Sequence, residues 1–420
     1  MENMHLGKAG NTCKYCNTEL FPILDLGVQP FSNTMISKKN YYSEEKYFVL
    51  NFSKCPKCNL FQTSTNINPE EIFDENYPYF SSVSQSWLDH CEKYTNKIIY
   101  DYNLTRKSKV IELASNDGYL LNFFKKSNID VLGIEPCKSV AEKAIKKGIK
   151  TDINFFDKIY AKKNFTNESG KGDLVIANNV LAHVPDIKSF VKGISYIIKN
   201  NGICTIEFPS VCNLIKDLQF DTIYHEHYSY LSLNFVKLLF SDVNMRLFNV
   251  DEIPTHGGSY RAYFCLENAK YQTSSLVDEL LKEEIKSGIF DNNYLVEFQR
   301  KVVKLKMKTM KLLLSLKENN KEIIGYGAAA KASTITNYLG LDSSIISYIV
   351  DKNVYKQNKY LPGSRILVLD PKQIFKTKPD YIIIFPWNIK EEIISQISPK
   401  INWECKFITI LPDNSIIKCK

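Results

Sequence analysis

The sequence predicts an α/β fold in three parts: a small metal-stapled module, then two Rossmann-like units of alternating strand and helix. Three observations predict it. Two CxxC pairs, "CKYC" with Cys13 and Cys16 and "CPKC" with Cys55 and Cys58, lie near the start. From Ser108 onward short apolar runs alternate with stretches of helical period, the pattern of a parallel, doubly wound sheet. The alternation returns near the end in "KEIIGYGAAAKASTITNYLG", "ISYIVDKN" and "DYIIIFPWN". At 420 residues the chain exceeds one ordinary domain, so separate cores are expected.

The first segment, residues 1–72, is turn-rich ("DLGVQPFSN", "KCPKCNL") and short of helical period. So small a module has little core of its own, and a metal supplies the missing stability. Each CxxC brings two thiolates to one turn. Two such turns close a tetrahedral zinc site with no open position, so Cys13, Cys16, Cys55 and Cys58 are read as structural ligands. A linker or cap, "FDENYPYFSSVSQSWLDH", follows, and residues 85–100 have the period of a helix entering the next domain. "KVIELAS", "VLGIE", "DLVIANNV" and "GICTIEFP" are then strands, separated by helical stretches such as "YLLNFFKKSN". Residues 275–317 read as helical, and "RKVVKLKMKTMK" within them as part of one long amphipathic helix with a solvated face. The expected divisions are 1–72, 73–262 and 263–420.

Composition narrows the class. With 44% hydrophobic and 24% charged residues the chain is a folded globular protein, which excludes a disordered or fibrous one. No run approaches the eighteen or so uninterrupted apolar residues of a membrane span. "MENMHLGKAG" holds no apolar signal core, so a cytoplasmic protein is expected, and there the eleven cysteines would not build a disulfide framework. The formal charge of +8 is scattered along the chain. A small anionic ligand such as a nucleotide accounts for it, and nucleic acid is not expected as a partner.

In the first α/β unit "VIELASNDGYLL" reads as strand, tight turn and helix, with Glu112 near the strand end and Asn116, Asp117 and Gly118 in the turn. Gly118 can take positive φ and lets backbone approach a ligand. Glu135 of "GIEPC" follows at the next strand end, placed to accept hydrogen bonds from two ribose hydroxyls. The turn lacks G-x-G-x-x-G, which argues against a dinucleotide, and Glu112 suits a cationic ligand better than a phosphate. S-adenosylmethionine, with its sulfonium, ammonium and ribose, is the better fit. In the second unit Gly325 and Gly327 stand at a strand-to-helix turn that offers backbone N–H groups to a phosphate, with Lys331 one turn in and Asp351 at the next strand end. A tight turn filled by small residues would read the same way.

The ordered set "CKYC", "CPKC", "YPYFSS", "ELASNDGYLL", "GIEPC", "ANNVLAHVPD", "FDTIYHEHYSY", "THGGSYR", "GYGAAAKASTITNYLG" and "YLPGSRI" resembles that of the bacterial sugar C-methyltransferases, which methylate C3 of nucleotide-linked keto-deoxysugars. The resemblance runs from Cys13 to "PWN" near residue 388. It implies an N-terminal zinc module, a class I S-adenosylmethionine domain and a C-terminal Rossmann-like domain that helps hold the nucleotide-sugar. Cofactor contacts then fall at Glu112, Ala114, Asn116, Gly118 and Tyr119, and at Glu135, Asn178 and Asn179.

Methylating a carbon requires a base to take a proton beside a carbonyl and a donor to stabilise the enolate oxygen. Only six histidines are present, and His183, His225, His227 and His256 fall in one stretch of the chain. "DTIYHEHYSY" (221–230) adds tyrosines and a glutamate and has no clear period, so it reads as a loop. Neutral imidazole is available as base near pH 7, and tyrosine stays protonated as donor. By resemblance His227 is the base, Tyr224 and Glu226 line the sugar pocket, His183 lies opposite, and Tyr79 reaches in from the cap. His225, His256, Gly257 and Gly258 are assigned to the substrate side together with Gly325, Gly327, Lys331 and Asp351. Plainer roles compete: His183 could cap the helix at "PDIKSF", Glu226 could pair with Arg261 or a lysine, and His256 could be a turn residue beside two glycines. A nucleotide-sugar oxidoreductase or epimerase using NAD, and a non-catalytic zinc-containing binding protein, are the alternative functions. A monomer is expected, since three parts enclose one site.

Overall fold

The computed structural model describes residues 11–64, 67–72, 82 and 85–419. Tyr79 lies outside the described residues, as does most of "YPYFSS". The central sheet has seven strands in the order Met245–Ile253, Ser259–Leu266, Ile198–Pro209, Gly172–Asn178, Lys109–Leu113, Asp130–Ile134, Thr151–Asp152. Five run parallel, and the apolar Val110, Ile111, Val175 and Ile176 are buried because helices cover both faces. The sheet is not wholly parallel as expected. Ser259–Leu266 pairs antiparallel with both neighbours, since only five residues join it to Met245–Ile253 and so short a connection can only make a hairpin. That strand also runs unbroken through 262 and 263, where a division was expected.

The N-terminal module is an antiparallel sheet of Phe21–Pro30, Tyr47–Lys54 and Phe61–Gln62, completed by Ser229–Tyr230 from far along the chain. Its apolar residues are shared out. Cys13, Leu20 and Leu60 join the core of the central domain, while Leu24, Leu50, Phe52 and Phe61 pack with Val302, Leu305 and Leu339 of the C-terminal part. The shortage of core expected of so small a module is thus met by its neighbours as well as by its cysteines.

Ser275–Lys286 and Asn292–Glu318 are helices, and the second is 27 residues long. Asp291 starts it by accepting the N–H groups of Asn293 and Tyr294, and Leu295, Phe298, Val302, Leu305 and Leu313 form its buried stripe. The last sheet has the order Val368–Leu369, Ile349–Val350, Ile323–Tyr326, Tyr381–Ile384, Lys406–Thr409, Ser415–Lys418, parallel except for the final hairpin. Among the described residues no helix is long and apolar enough to cross a membrane.

Candidate active site

The four expected zinc ligands converge. All four sulfurs lie within 4.8 Å of one another, with Cys13 Sγ 3.5 Å from Cys58 Sγ and Cys16 Sγ 3.3 Å from Cys55 Sγ. Sulfurs each about 2.3 Å from one tetrahedral ion stand about 3.8 Å apart, so the set fits zinc with no position left for water. Backbone N–H groups of Tyr15 and Cys58 point at Cys13 Sγ and Cys55 Sγ, as thiolates require.

At the carboxyl ends of the central strands a cavity of about 700 Å³ opens. One wall is the first strand-to-helix turn, where Ala114, Asn116 and Gly118 all take positive φ (52°, 50° and 73°) and fold the chain back on itself. Glu135 accepts the Asn116 N–H at 2.9 Å and the Cys137 N–H at 2.8 Å, which holds its carboxylate at the cavity edge. Ala114, Asn116, Tyr119, Glu135, Asn178 and Asn179 line this wall. Glu112 and Gly118 stand behind it. Glu112 is 1% exposed and its Oε2 has no partner; burial, then repulsion from Glu135 and Asp117, pushes its pKa well above the usual carboxylate range. Both amide ends of Asn179, whose φ is 55°, are likewise buried and unpaired. Orphaned acceptors and amide groups around a carboxylate cluster suit the hydroxyls and positive charges of S-adenosylmethionine.

The opposite wall is the 221–230 segment. Apart from a single turn at Phe220–Thr222 and the strand Ser229–Tyr230, it has no regular structure. Its two histidines diverge. His225 is 1% exposed, packs edge-on to Phe31 and Phe48 and contacts the Phe48 carbonyl at 3.3 Å, so it belongs to the N-terminal module and not to the substrate side as expected. His227 lines the cavity. Its Nδ1 is 3.1 Å from the Thr222 carbonyl; a carbonyl only accepts, so Nδ1 carries the proton and Nε2 holds the lone pair. His183 is arranged alike, Nδ1 lying 2.9 Å from the Glu226 carbonyl, and the two rings are 4.6 Å apart. Burial pushes the His183 pKa down to about 4. Burial, reinforced by His183, pushes that of His227 well below 6.5. Two neutral imidazoles therefore face one space, with the Tyr224 ring 4.1 Å from that of His227.

The plainer roles resolve. Asp186, not His183, caps the helix Ile187–Ile197 by accepting the Ser189 N–H. Glu226 accepts from Ser32 Oγ (3.1 Å) and Asn33 Nδ2 (2.7 Å), while Arg261 pairs with the buried Glu207 at 2.6 Å. His256 lines the cavity from a left-handed backbone (φ 55°), and burial brings its pKa to about 4. Gly257 and Gly258 lie off the wall. A Cβ on Gly258 would stand 2.0 Å from Asn213 Nδ2, so the glycine there answers to packing.

In the C-terminal unit Gly325, Gly327 and Asp351 also lie off the cavity. Gly327 has φ +90° and a Cβ there would meet Pro386 at 2.5 Å; the Asp351 carboxylate is occupied by the N–H groups of Ala328 and Asn353, each at 2.7 Å. Ala329, Ala330 and Lys331, at the start of the helix Ala330–Leu339, do reach the wall. Lys331 Nζ lies 3.0 Å from Asn388 Oδ1 and 4.3 Å from the Trp387 ring centroid. The residues missed from sequence include Lys356, which lines the same wall and donates to the Ala328 carbonyl at 2.8 Å. One lysine among 54 basic residues carries no signal. Asp221 was missed too: Trp387 Nε1 donates to it at 2.8 Å, and burial, opposed by Lys331, pushes its pKa up to about 6.

Comparison with known proteins follows the same three parts. A zinc binding domain family model matches residues 13–73, a methyltransferase domain model 90–250, and a C-methyltransferase C-terminal domain model 254–412. C-methyltransferase NovU of Streptomyces niveus is 29% identical over 409 residues, covering 97% of each chain. Among solved structures, magnesium protoporphyrin IX methyltransferase of Synechocystis PCC 6803 with bound SAM aligns at TM-score 0.37 and 12% identity, over 48% of this chain and 100% of that one. The CcbJ methyltransferase of Streptomyces caelestis aligns at 0.36 and 11%, over 46% and 99%. At such scores neither likeness bears on the reaction. The family matches set aside the NAD-dependent and non-catalytic alternatives. A four-cysteine zinc module, a methyltransferase domain and a C-methyltransferase C-terminal domain thus follow one another in this chain, and the protein is an S-adenosylmethionine-dependent methyltransferase that is similar along nearly its whole length to a C-methyltransferase.

Proposed function

We propose that this enzyme methylates C3 of a nucleotide-linked 4-keto-6-deoxy sugar through an enolate, with His227 as the base. The observation that carries the reading is the pair of neutral imidazoles, each locked by a main-chain carbonyl with Nε2 as acceptor, beside Tyr224 in one cavity. A sugar C–H yields a proton only next to a ketone. His227 Nε2 takes the C3 proton, and Tyr224 donates to the oxygen on which charge gathers. Tyr79 is assigned to the same pocket, and Glu226 and His183 orient the sugar. The bound cofactor supplies an electrophilic methyl group, and Glu135 holds its ribose.

The C-terminal wall is suited to the diphosphate. Lys331 and Lys356 form no ion pair among the described residues, burial lowers both pKa values, and the adjoining helix start has no side-chain cap. Two buried ammonium groups, opposed only beyond ion-pair distance by Asp221 on Lys331 and by Asp351 and Glu226 on Lys356, and the uncapped helix start favour a dianion. His256 is assigned to the sugar-nucleotide side. Because residues of all three parts line one cavity, a monomer suffices for the reaction, with a zinc-binding part up to about residue 72 and the nucleotide-sugar part following the Ser259–Leu266 strand.

The test is mass spectrometry of products from GDP- and dTDP-linked 4-keto-6-deoxyhexoses incubated with labelled S-adenosylmethionine, alongside the same sugars reduced at C4. Carbon methylation of the ketones alone is expected. Equal methylation of the reduced sugars would mean transfer to oxygen and would end the proposal.

A further inference from the structure

The segment that carries His227 has almost no ladder of its own, so its shape is set by whatever grips it. Three consecutive carbonyls, of Glu226, His227 and Tyr228, each receive a donor. His183 of the central domain takes the first. Thr63 of the N-terminal module takes the other two: its hydroxyl donates to the His227 carbonyl at 3.1 Å and its N–H to the Tyr228 carbonyl at 3.3 Å. Thr63 is fully buried. The residue before it, Gln62, is also fully buried and pairs with Ser229 through its backbone. The Gln62 side chain turns the other way, accepting the Lys14 N–H at 2.9 Å and donating to the Thr12 carbonyl at 3.3 Å, both beside the first cysteine pair. A continuous path of hydrogen bonds therefore runs from the metal-binding turns through Gln62 and Thr63 to the main chain of His227.

We propose that Thr63 is a positioning residue for His227, so that the N-terminal module sets the register of the base and is not merely a stabilising appendage. The proposal rests on the reading of His227 as the base. Nothing in the N-terminal module needs to touch the imidazole for this to work. Both Thr63 bonds act on the backbone that aims it, while Thr222 fixes the ring's tautomer from the other side. The ring's titration is set by what surrounds it, namely burial, His183, His256 and Lys331, which lower its pKa, and the Thr222 carbonyl, which raises it, and none of these belongs to the N-terminal module. A change at Thr63 can reach that titration only by moving the loop.

The test compares wild type, Thr63→Val and Thr63→Ser as full-length, zinc-loaded proteins labelled with ¹⁵N-histidine; six histidines give few signals, and His227→Ala assigns the relevant one. In wild type and Thr63→Ser the His227 ring should show a single Nδ1–H tautomer and a midpoint well below 6.5. In Thr63→Val, which keeps the shape but removes the hydroxyl, the signal should become a mixture of tautomers and the midpoint should move from the wild-type value by about one pH unit, a tenfold change in proton affinity. Affinity for S-adenosylmethionine, by calorimetry, should stay within about twofold of wild type, which also shows that the variant is folded. Should Thr63→Val fail that control, Thr63→Ala serves in the same comparison. An unchanged tautomer and midpoint in the folded variant, or a Thr63→Ser protein as altered as Thr63→Val, overturns the proposal. If His227 is not the base at all, His227→Ala will still turn over, a result independent of the spectra.

Discussion

His225 gives the prediction that separates a core histidine from a pocket histidine. Its ring is 1% exposed between Phe31 and Phe48, and burial pushes its pKa to about 4. The unfolded chain binds the proton near 6.5, so between about pH 6.5 and 4 the unfolded state holds more protons than the folded state. Stability from this group is therefore complete above 6.5 and is lost as pH falls toward 4. A displacement from 6.5 to about 4 is worth about 3 kcal/mol at 1.36 kcal/mol per unit, out of a total of roughly 5–15 kcal/mol. The perturbation is His225→Leu, which fills similar volume and cannot titrate. Urea unfolding followed at several pH values between 4.5 and 7.5 should give wild type a stability that rises with pH. In the variant that slope should be smaller by up to about 1.4 kcal/mol per pH unit, and turnover per folded molecule should be kept. An unchanged slope would refute the assignment of a buried neutral imidazole, and lost turnover in folded protein would return His225 to the pocket.

His227→Ala should lower kcat by about 10²–10⁴-fold while S-adenosylmethionine affinity, measured by calorimetry, stays near wild type, because the ring lies on the wall opposite the Glu135 turn. The acid limb of kcat/KM should fall well below pH 6.5, since the folded pKa is depressed and the base stays unprotonated until that lower value is reached; a pH–rate profile with a limb at 6.5 or above would contradict this. Lys356→Met should raise KM for the nucleotide-sugar by roughly tenfold or more and leave that for the methyl donor unchanged, checked by steady-state kinetics with each substrate varied in turn. Cys55→Ser should lower bound zinc, measured by elemental analysis, and lower Tm by roughly 5–10 °C; full zinc with unchanged Tm would contradict a structural site.

What was legible in the sequence was local. The metal ligands could be read because two thiolates three residues apart reach one ion from one turn. The tight turn at Ala114–Gly118 could be read because it and the acidic Glu135 follow strongly apolar strands. The divergence of His225 from His227 could not, because a segment without a period leaves side-chain direction to whatever packs on it, here Phe31 and Phe48. The turn glycines misled for a related reason: Gly258 and Gly327 satisfy Asn213 and Pro386 rather than a ligand, and such pressures come from residues distant in sequence. Lys356 and Asp221 gain their meaning only from neighbours in other parts of the chain.

One consequence follows for synthesis. His227, the proposed base, is held by a residue made early, Thr63, and the loop that carries it is tethered through Asp221 to Trp387, made late. At 5–20 residues per second, the ribosome spends roughly ten to thirty seconds between releasing Ser229 and releasing Trp387. A nascent chain in that interval already contains the Glu135 turn and the His227 imidazole, yet lacks the Trp387 clasp on the loop. On the proposed reading, chemistry waits for nearly the last of the polypeptide, and a fragment ending before Trp387 is expected to be inactive even where it still binds the methyl donor.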